Sequence, residues 1–488
     1  MMRMRFLLFA LAAALVLAAG CVMDRGGYQD SRVYDRALYG SVARRAFECQ
    51  SPARNPVIVI HGLMGARLTD GESGETVWGV FSVSGLRNRA NDRLLAHPMG
   101  LNVPLNELHN PVTSAGLLEQ SEIQVMGMSF NFSNYAELIR ILEGAGYVSG
   151  DAPLPDGIRY PTLFIFDYDW RRDISENAVL LGQFIAEKRR MLREEYRRLY
   201  GLEDFPVKFD LIGHSMGGLV AGYYLRYGGV RFPDDPQAEF PVTWAGSGDV
   251  DKVIMVGTPN AGYLDTALEI TGGMKLSSGA PLIPPAVFAT FPSMYQMLPD
   301  PASGAIVASD GSVPDLWDVN VWTEMQWGLA DPAEDEELTG ILPEVSDPEE
   351  RRAIALDHLR KCLLRAEIFR KLMRVTPEDQ PDDVKFFLIA GDALETNHTA
   401  LVGGDGSLSV IRREAGDGKI TAASARYDLR DGGEWAPYVE SPIRWQSVCY
   451  LQGGHMGIMN SPAFESNLLY ILMAWPNRSV RELWEKIR

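Results

Sequence analysis

At 488 residues the chain is long for one core but within reach of an α/β enzyme that adds a cap to a single large domain. Its 46% apolar and 23% charged residues are ordinary for a globular protein and argue against disordered and low-complexity classes. A net charge of −18 argues against nucleic acid as a partner, since phosphate binding needs a basic face.

Arg3 and Arg5 precede an apolar run from Phe6 to Ala19. That run is short for a membrane span of about 20 residues and suits a secretory signal. The small residues of Leu17-Ala-Ala-Gly-Cys21 resemble a bacterial lipoprotein signal, in which the cysteine is lipidated, although Ala18 stands where that signal usually has leucine. Residues 1–21 are therefore expected to be a lipoprotein-type signal peptide. It would leave an exported protein anchored at the cell envelope through Cys21, or a secreted one if Cys21 is not lipidated. Residues 22–52 read as a polar stalk. Cys49, Cys362 and Cys449 are too few and too widely spaced for a disulfide framework.

The core opens at residue 53. Pro56-Val-Ile-Val-Ile60 reads as a buried parallel strand, followed directly by His61-Gly62-Leu63. A second strand, Leu163-Phe-Ile-Phe166, leads into Tyr168-Asp-Trp-Arg171. Residues 175–199 carry Leu180, Leu181, Phe184, Ile185, Met191, Leu192 and Leu199 at helical spacing. A third strand, residues 207–212, ends in Gly213-His-Ser-Met-Gly217, and Leu219, Val220, Tyr223, Tyr224 and Tyr227 continue with the helical period. Val253-Ile-Met-Val256 and Phe386-Phe-Leu-Ile389 are further strands. Strands alternating with helices predict an α/β fold with a mostly parallel central sheet flanked by helices. The proline-bearing, irregularly apolar stretch 266–382 fits neither a core strand nor a regular helix and is read as a cap insertion. It splits the core into residues 53–265 and 383–488. An acidic run, Asp331 to Glu350, carries no lysine or arginine and reads as solvated surface.

Gly213-x-Ser215-x-Gly217 between a strand and a helix matches a nucleophile elbow. A serine hydroxyl needs a base, and the base needs a carboxylate to hold its tautomer. In this architecture the chain order is serine, acid, histidine, so only His358, His398 and His455 qualify as base. His358 sits in a charged, helical-looking stretch and reads as a surface residue, while His398 reads as a loop residue. His455, on the glycine-rich loop after a late strand at Val448-Cys-Tyr-Leu451, is the expected base. For the acid, Asp392 at a strand end and Asp405 in the turn Gly403-Gly-Asp-Gly406 are about equally placed. The backbone N–H groups of Leu63 and Met216 are the expected oxyanion donors.

Five segments together resemble the lecithin:cholesterol acyltransferase family of α/β-hydrolases, which includes lysosomal phospholipase and phospholipid:diacylglycerol acyltransferase. They are residues 56–68, Tyr168-Asp-Trp-Arg171, His214-Ser-Met-Gly-Gly218, Val256-Gly-Thr-Pro-Asn-Ala-Gly262 and Gly404-Asp-Gly-Ser407. The resemblance covers most of residues 56–465, and the Tyr-Asp-Trp-Arg run is its most discriminating part. It implies an α/β-hydrolase fold with Ser215 as nucleophile, Asp405 as acid, His455 as base, and Leu63 and Met216 at the oxyanion hole. It also implies a lid near residues 72–110. In mammalian members a disulfide closes that lid, but this chain has no cysteine between Cys49 and Cys362. The aspartate turn reads Gly-Ser-Leu where the family has Gly-Thr-Val. The implied activity is hydrolysis or O-acyl transfer on phospholipid or other acyl esters at a membrane surface, with water or an alcohol as acceptor. It needs no cofactor and no metal. A carboxylesterase of small soluble esters and a catalytically silent lipid-binding lipoprotein are the competing expectations.

Overall fold

The computed structural model describes residues 51–79, 81–82, 89–125, 128–133, 135–274, 283–374, 380–428, 430 and 440–474. The expected signal peptide, nearly all of the stalk, Cys21 and Cys49 lie outside these residues, as does part of the expected lid segment. No described helix is long and apolar enough to cross a membrane.

Six strands form one parallel sheet: β1 (Val57–Ile60), β2 (Leu163–Phe166), β3 (Phe209–His214), β4 (Val250–Val256), β5 (Lys385–Gly391) and β6 (Trp445–Leu451). Their order is β2-β1-β3-β4-β5-β6, and every neighbouring pair runs parallel. The expected parallel sheet is present, and its β-branched runs are buried because both faces are covered. The helices that matter below are α1 (Ala136–Gly144), α2 (Ile174–Tyr200), α3 (Met216–Tyr227), α4 (Leu264–Gly272), α5 (Pro348–Met373) and α6 (Pro462–Ala474).

Alternation along β1 divides the core in two. Val57 and Val59 join a cluster with Leu138 and Leu142 of α1 and with Phe464 and Leu468 of α6. Ile58 and Ile60 join the larger cluster with Leu181 and Ile185 of α2, Leu219 of α3 and Leu359 of α5. Helix α2 starts where the Asp173 carboxylate accepts the Ser175 N–H at 2.7 Å, and it stops at Gly201, whose φ is +66°. Its core stripe runs through Ala178, Leu181, Ile185 and Leu192, whereas Leu180, expected on that face, is 44% exposed.

Two expectations for the insertion between β4 and β5 change. Its prolines do not prevent helices but begin them: Pro285 and Pro292 stand in the first turns of Pro285–Phe288 and Pro292–Gln296, where no backbone N–H is required. His358 is not on the surface. It is fully buried on α5, with Nε2 2.8 Å from the Thr290 carbonyl, because that face of α5 packs inward despite its charged neighbours. Arg365, also on α5, reaches the Asp173 carboxylate at 2.8 Å and so ties the insertion to the start of α2.

The chain enters at β1, steps to β2 on one side and returns to β3 on the other. The carboxyl ends of β1 and β3 therefore flank a topological switch point, where open α/β sheets bind ligands. The opposite end of the sheet holds a buried ionic cluster in which Lys252 Nζ meets Asp210 at 2.8 Å and Asp251 at 3.0 Å. Its charges satisfy one another far from the switch point, so it is structural.

Candidate active site

Ser215 follows β3 directly and precedes α3. Its φ and ψ of 52° and −127° are outside the regions a non-glycine residue normally occupies, a strain of order 1–3 kcal/mol that persists only where the surroundings impose it. The surroundings are tight: a Cβ on Gly217 would stand 2.3 Å from the Ile60 carbonyl oxygen, and one on Gly62 would stand 2.7 Å from Ser215 Cβ. Glycine at these two places lets the loop after β1 and the elbow after β3 press together. Met216 occupies the first position of α3, so its N–H is among the helix-end donors without an intrahelical acceptor.

His455 stands on the loop after β6, as expected, and its Nδ1 lies 2.8 Å from Asp417 Oδ2. Asp417 is almost fully buried, and its other oxygen accepts the N–H groups of Ile420 at 2.7 Å and Lys419 at 3.0 Å. Burial alone would raise its pKa, but the neighbouring His455 and these hydrogen bonds outweigh burial and hold the carboxyl below its ordinary value. Asp417 is ionised at neutral pH, and it holds the proton of His455 on Nδ1. Nε2 is then the nitrogen left to take a proton from a hydroxyl.

The expected partner of His455 is thus corrected: the carboxylate paired with that ring is Asp417, not Asp405. Asp405 sits at the tip of a hairpin formed by Leu394–Val402 and Leu408–Gly416, where its Oδ1 accepts the Ser407 N–H at 3.1 Å and hydroxyl at 2.6 Å. It is exposed, and its hydrogen bonds close its own turn. Asp392, the runner-up, is also exposed. The chain leaves β5 at Gly391, runs out and back along the hairpin, and sets Asp417 over the end of β5. A Cβ on Gly391 would come within 2.6 Å of Asp417 Cβ. The strand-end location expected for Asp392 is occupied instead by Asp417, which returns there from the hairpin. The sequence did hold a signal: Gly416-Asp417-Gly418 repeats the Gly-Asp-Gly pattern of the other turn. His398, expected in a loop, lies within the first hairpin strand, 3.5 Å from Glu414.

Tyr168-Asp-Trp-Arg171 braces this site from below. The Tyr168 N–H donates to His61 Nε2 at 3.2 Å, its hydroxyl donates to the His61 carbonyl at 2.7 Å, and the two rings stack 4.1 Å apart. Trp170 Nε1 donates to the Ala66 carbonyl at 3.1 Å. Arg171 grips Asp169 with two nitrogens and donates to the carbonyls of Leu94 and Leu95 at 2.8 and 2.9 Å. Four consecutive residues thus hold the loop after β1 and the end of the helix Arg89–Leu95.

A cavity of about 560 Å³, solvent mouth included, opens over Ser215 and His455. Leu63, Met64, Tyr263, Met274, Phe288, Ile420 and Met456 give it mostly apolar walls, and Glu269 and Lys419 form an ion pair at 2.7 Å on its lining. Tyr263, Met274 and Phe288 come from the insertion or its approach, so that segment supplies part of the wall.

No protein-family model and no curated protein matches the chain. Among solved structures, a chain in the crystal structure of the Tle4–Tli4 complex matches with a TM-score of 0.53 at 15% identity, over 86% of this chain and 98% of that one. The fold is that of an α/β-hydrolase. The mature Bacillus licheniformis lipase BlEst2 also matches, with a TM-score of 0.32 at 12% identity, over 87% of this chain and 94% of that one.

Proposed function

We propose that the protein is a serine-dependent acyl-ester hydrolase or acyltransferase acting on lipid esters. The observation that carries this reading is the strained Ser215 elbow sharing one cavity with His455, whose Nδ1 is engaged by buried Asp417. Ser215 Oγ attacks the ester carbonyl and His455 Nε2 takes its proton. The N–H groups of Leu63 and Met216 receive the oxyanion, and His455 returns the proton to the leaving alcohol. Water or a second alcohol then attacks the acyl-enzyme by the same steps. Asp417 orients His455 and offsets its positive charge without itself taking the proton.

The apolar walls support a substrate with an acyl chain. A lipoprotein-type Cys21 supports a membrane-bound one, and the resemblance to the lecithin:cholesterol acyltransferase family supports transfer alongside hydrolysis. A serine-directed fluorophosphonate should label the protein, and Ser215→Ala should abolish labelling. Equal labelling of the two proteins would overturn the catalytic reading. Phosphatidylcholine vesicles, offered with and without a long-chain alcohol, separate the two fates of the acyl group: alkyl ester appears only if transfer occurs. A dispersed short-chain ester turned over faster than any vesicle-bound lipid would instead favour a small-ester carboxylesterase.

A further inference from the structure

Three loops meet at Ser215: the one after β1, the elbow itself and the one carrying His455. A single buried hydroxyl, that of Tyr135 just before α1, connects them. Gly62 N–H donates to Tyr135 Oη at 2.8 Å, and Oη lies 2.9 Å from His214 Nδ1. On the far side of the His214 ring, Nε2 lies 3.2 Å from the His455 carbonyl oxygen.

A carbonyl only accepts, so His214 must carry its proton on Nε2. Burial pushes the imidazole pKa down to about 3, so Nδ1 is bare and Tyr135 donates to it. The direction of the chain is thereby fixed: Gly62 N–H to Tyr135, Tyr135 O–H to His214, His214 Nε2–H to the His455 carbonyl. His61 completes the clamp by the same logic. Its Nε2 accepts the Tyr168 N–H, so its Nδ1 holds the proton and donates to the Gly62 carbonyl at 2.7 Å. In a trans peptide the carbonyl of Gly62 and the N–H of Leu63 point in opposite directions. Holding the one aims the other.

We propose that Tyr135 and His214 are positioning residues: they hold the Gly62 N–H of the peptide just before the one that His61 holds, so that Gly62 is fixed on both sides and the Leu63 N–H stays aimed at the oxyanion site before any substrate arrives, while the same chain joins that loop to the one bearing His455. The proposal rests on the acyl-enzyme reading above and deepens it. Hydrogen bonds that merely satisfied buried groups would affect stability alone. A preset oxyanion donor affects the transition state, because its alignment matters only when negative charge develops on the substrate oxygen.

The test uses Tyr135→Phe, which removes one oxygen, together with His214→Phe and the double variant. Each is assayed with a soluble nitrophenyl ester and an aryl trifluoromethyl ketone at a temperature where urea melts show the protein fully folded. Ser215 Oγ adds to the ketone carbon, its proton passes to His455, and the ketone oxygen becomes the oxyanion. For Tyr135→Phe we expect kcat to fall about 10- to 100-fold with KM nearly unchanged, and the ketone to bind more weakly by about the factor lost in kcat/KM. The double variant should lose little beyond the worse single one, as members of one unit do. Should Tyr135→Phe not fold, His214→Phe alone carries the same comparison. If the folded variants keep kcat and ketone affinity within twofold of the parent, the hydrogen-bond chain is only structural and the proposal is overturned. Fluorophosphonate labelling of the parent keeps that result distinct from failure of the hydrolase reading, which would leave the parent itself unlabelled.

Discussion

His455 Nδ1 lies 2.8 Å from Asp417 Oδ2, and no other carboxylate is paired with that ring among the described residues. Asp417→Asn keeps the shape of the contact but reverses its polarity, favouring the wrong tautomer of His455. We expect kcat to fall by about 10⁴-fold. Asp405→Asn, at an exposed hairpin tip, should stay within about twofold. Steady-state rates of the two variants on one soluble ester decide the matter, and a larger loss from Asp405→Asn would reinstate it as the acid.

The pairing of His455 with Asp417 rather than Asp405 shows what local pattern can and cannot carry. The elbow was legible because its information is local: a β-branched strand, glycines where backbones touch, then a helical period. The two Gly-Asp-Gly turns are locally alike, and only the hairpin distinguishes them. Strands of nine residues separate its tip from its base by roughly 27 Å, so one aspartate faces solvent and the other faces His455. His358 fails for a related reason. Its neighbours Asp357, Arg360 and Lys361 look like a solvated helix face, yet the packing partner of that face, Thr290, comes from a segment whose position no periodicity reveals. The network through Tyr135 has the same character, since its members, Gly62, Tyr135, His214 and His455, come from four separated segments.

Arg171 is almost fully buried, and its guanidinium serves Asp169 and the carbonyls at the end of the helix Arg89–Leu95 at once. Arg171→Met leaves a mostly buried carboxylate and those carbonyls without their donor. A loss of about 3–5 kcal/mol is expected, read as a lower urea midpoint at unchanged slope. Arg171→Lys should recover only part, because an ammonium cannot reproduce the two-nitrogen grip. Full recovery by lysine would mean that charge rather than geometry is what the site needs.

Four buried histidines make stability depend on pH. Burial lowers the pKa of His61 to about 4, of His214 to about 3 and of His358 to about 4, and holds His97 well below its ordinary value. An unfolded histidine titrates near 6.5, so between that pH and the folded values the unfolded chain binds more protons. The stabilisation is complete above about pH 6.5 and is lost as pH falls toward 4. Each histidine contributes a slope of up to about 1.4 kcal/mol per pH unit, so the four together reach about 5.5 at most. Urea midpoints at pH 7, 6 and 5 should fall steadily, and a constant midpoint would show that these rings titrate alike in the folded and unfolded chain.

The glycines around the elbow give the most sharply contrasted prediction. A Cβ on Gly62 would press on Ser215 Cβ at 2.7 Å, a contact that only displacement of the nucleophile or of the Leu63 loop relieves. Displacements approaching 1 Å in a catalytic array cost about 10²-fold, so Gly62→Ala should lose at least that much in kcat. Gly217→Ala faces carbonyl oxygens of Ile60 and His61 at 2.3 and 2.4 Å, so β1 itself must move, and a large loss of stability accompanies the loss of rate. Gly340, within the helix Asp335–Ile341, has nothing within 4 Å of the added Cβ. Gly340→Ala should therefore stabilise the protein by roughly 0.4–1 kcal/mol with kcat unchanged. Measuring melting and turnover on the three variants separates crowding at the site from the general cost of losing a glycine, and a Gly62→Ala protein with parental kcat would show that the loop after β1 does not set the position of Ser215.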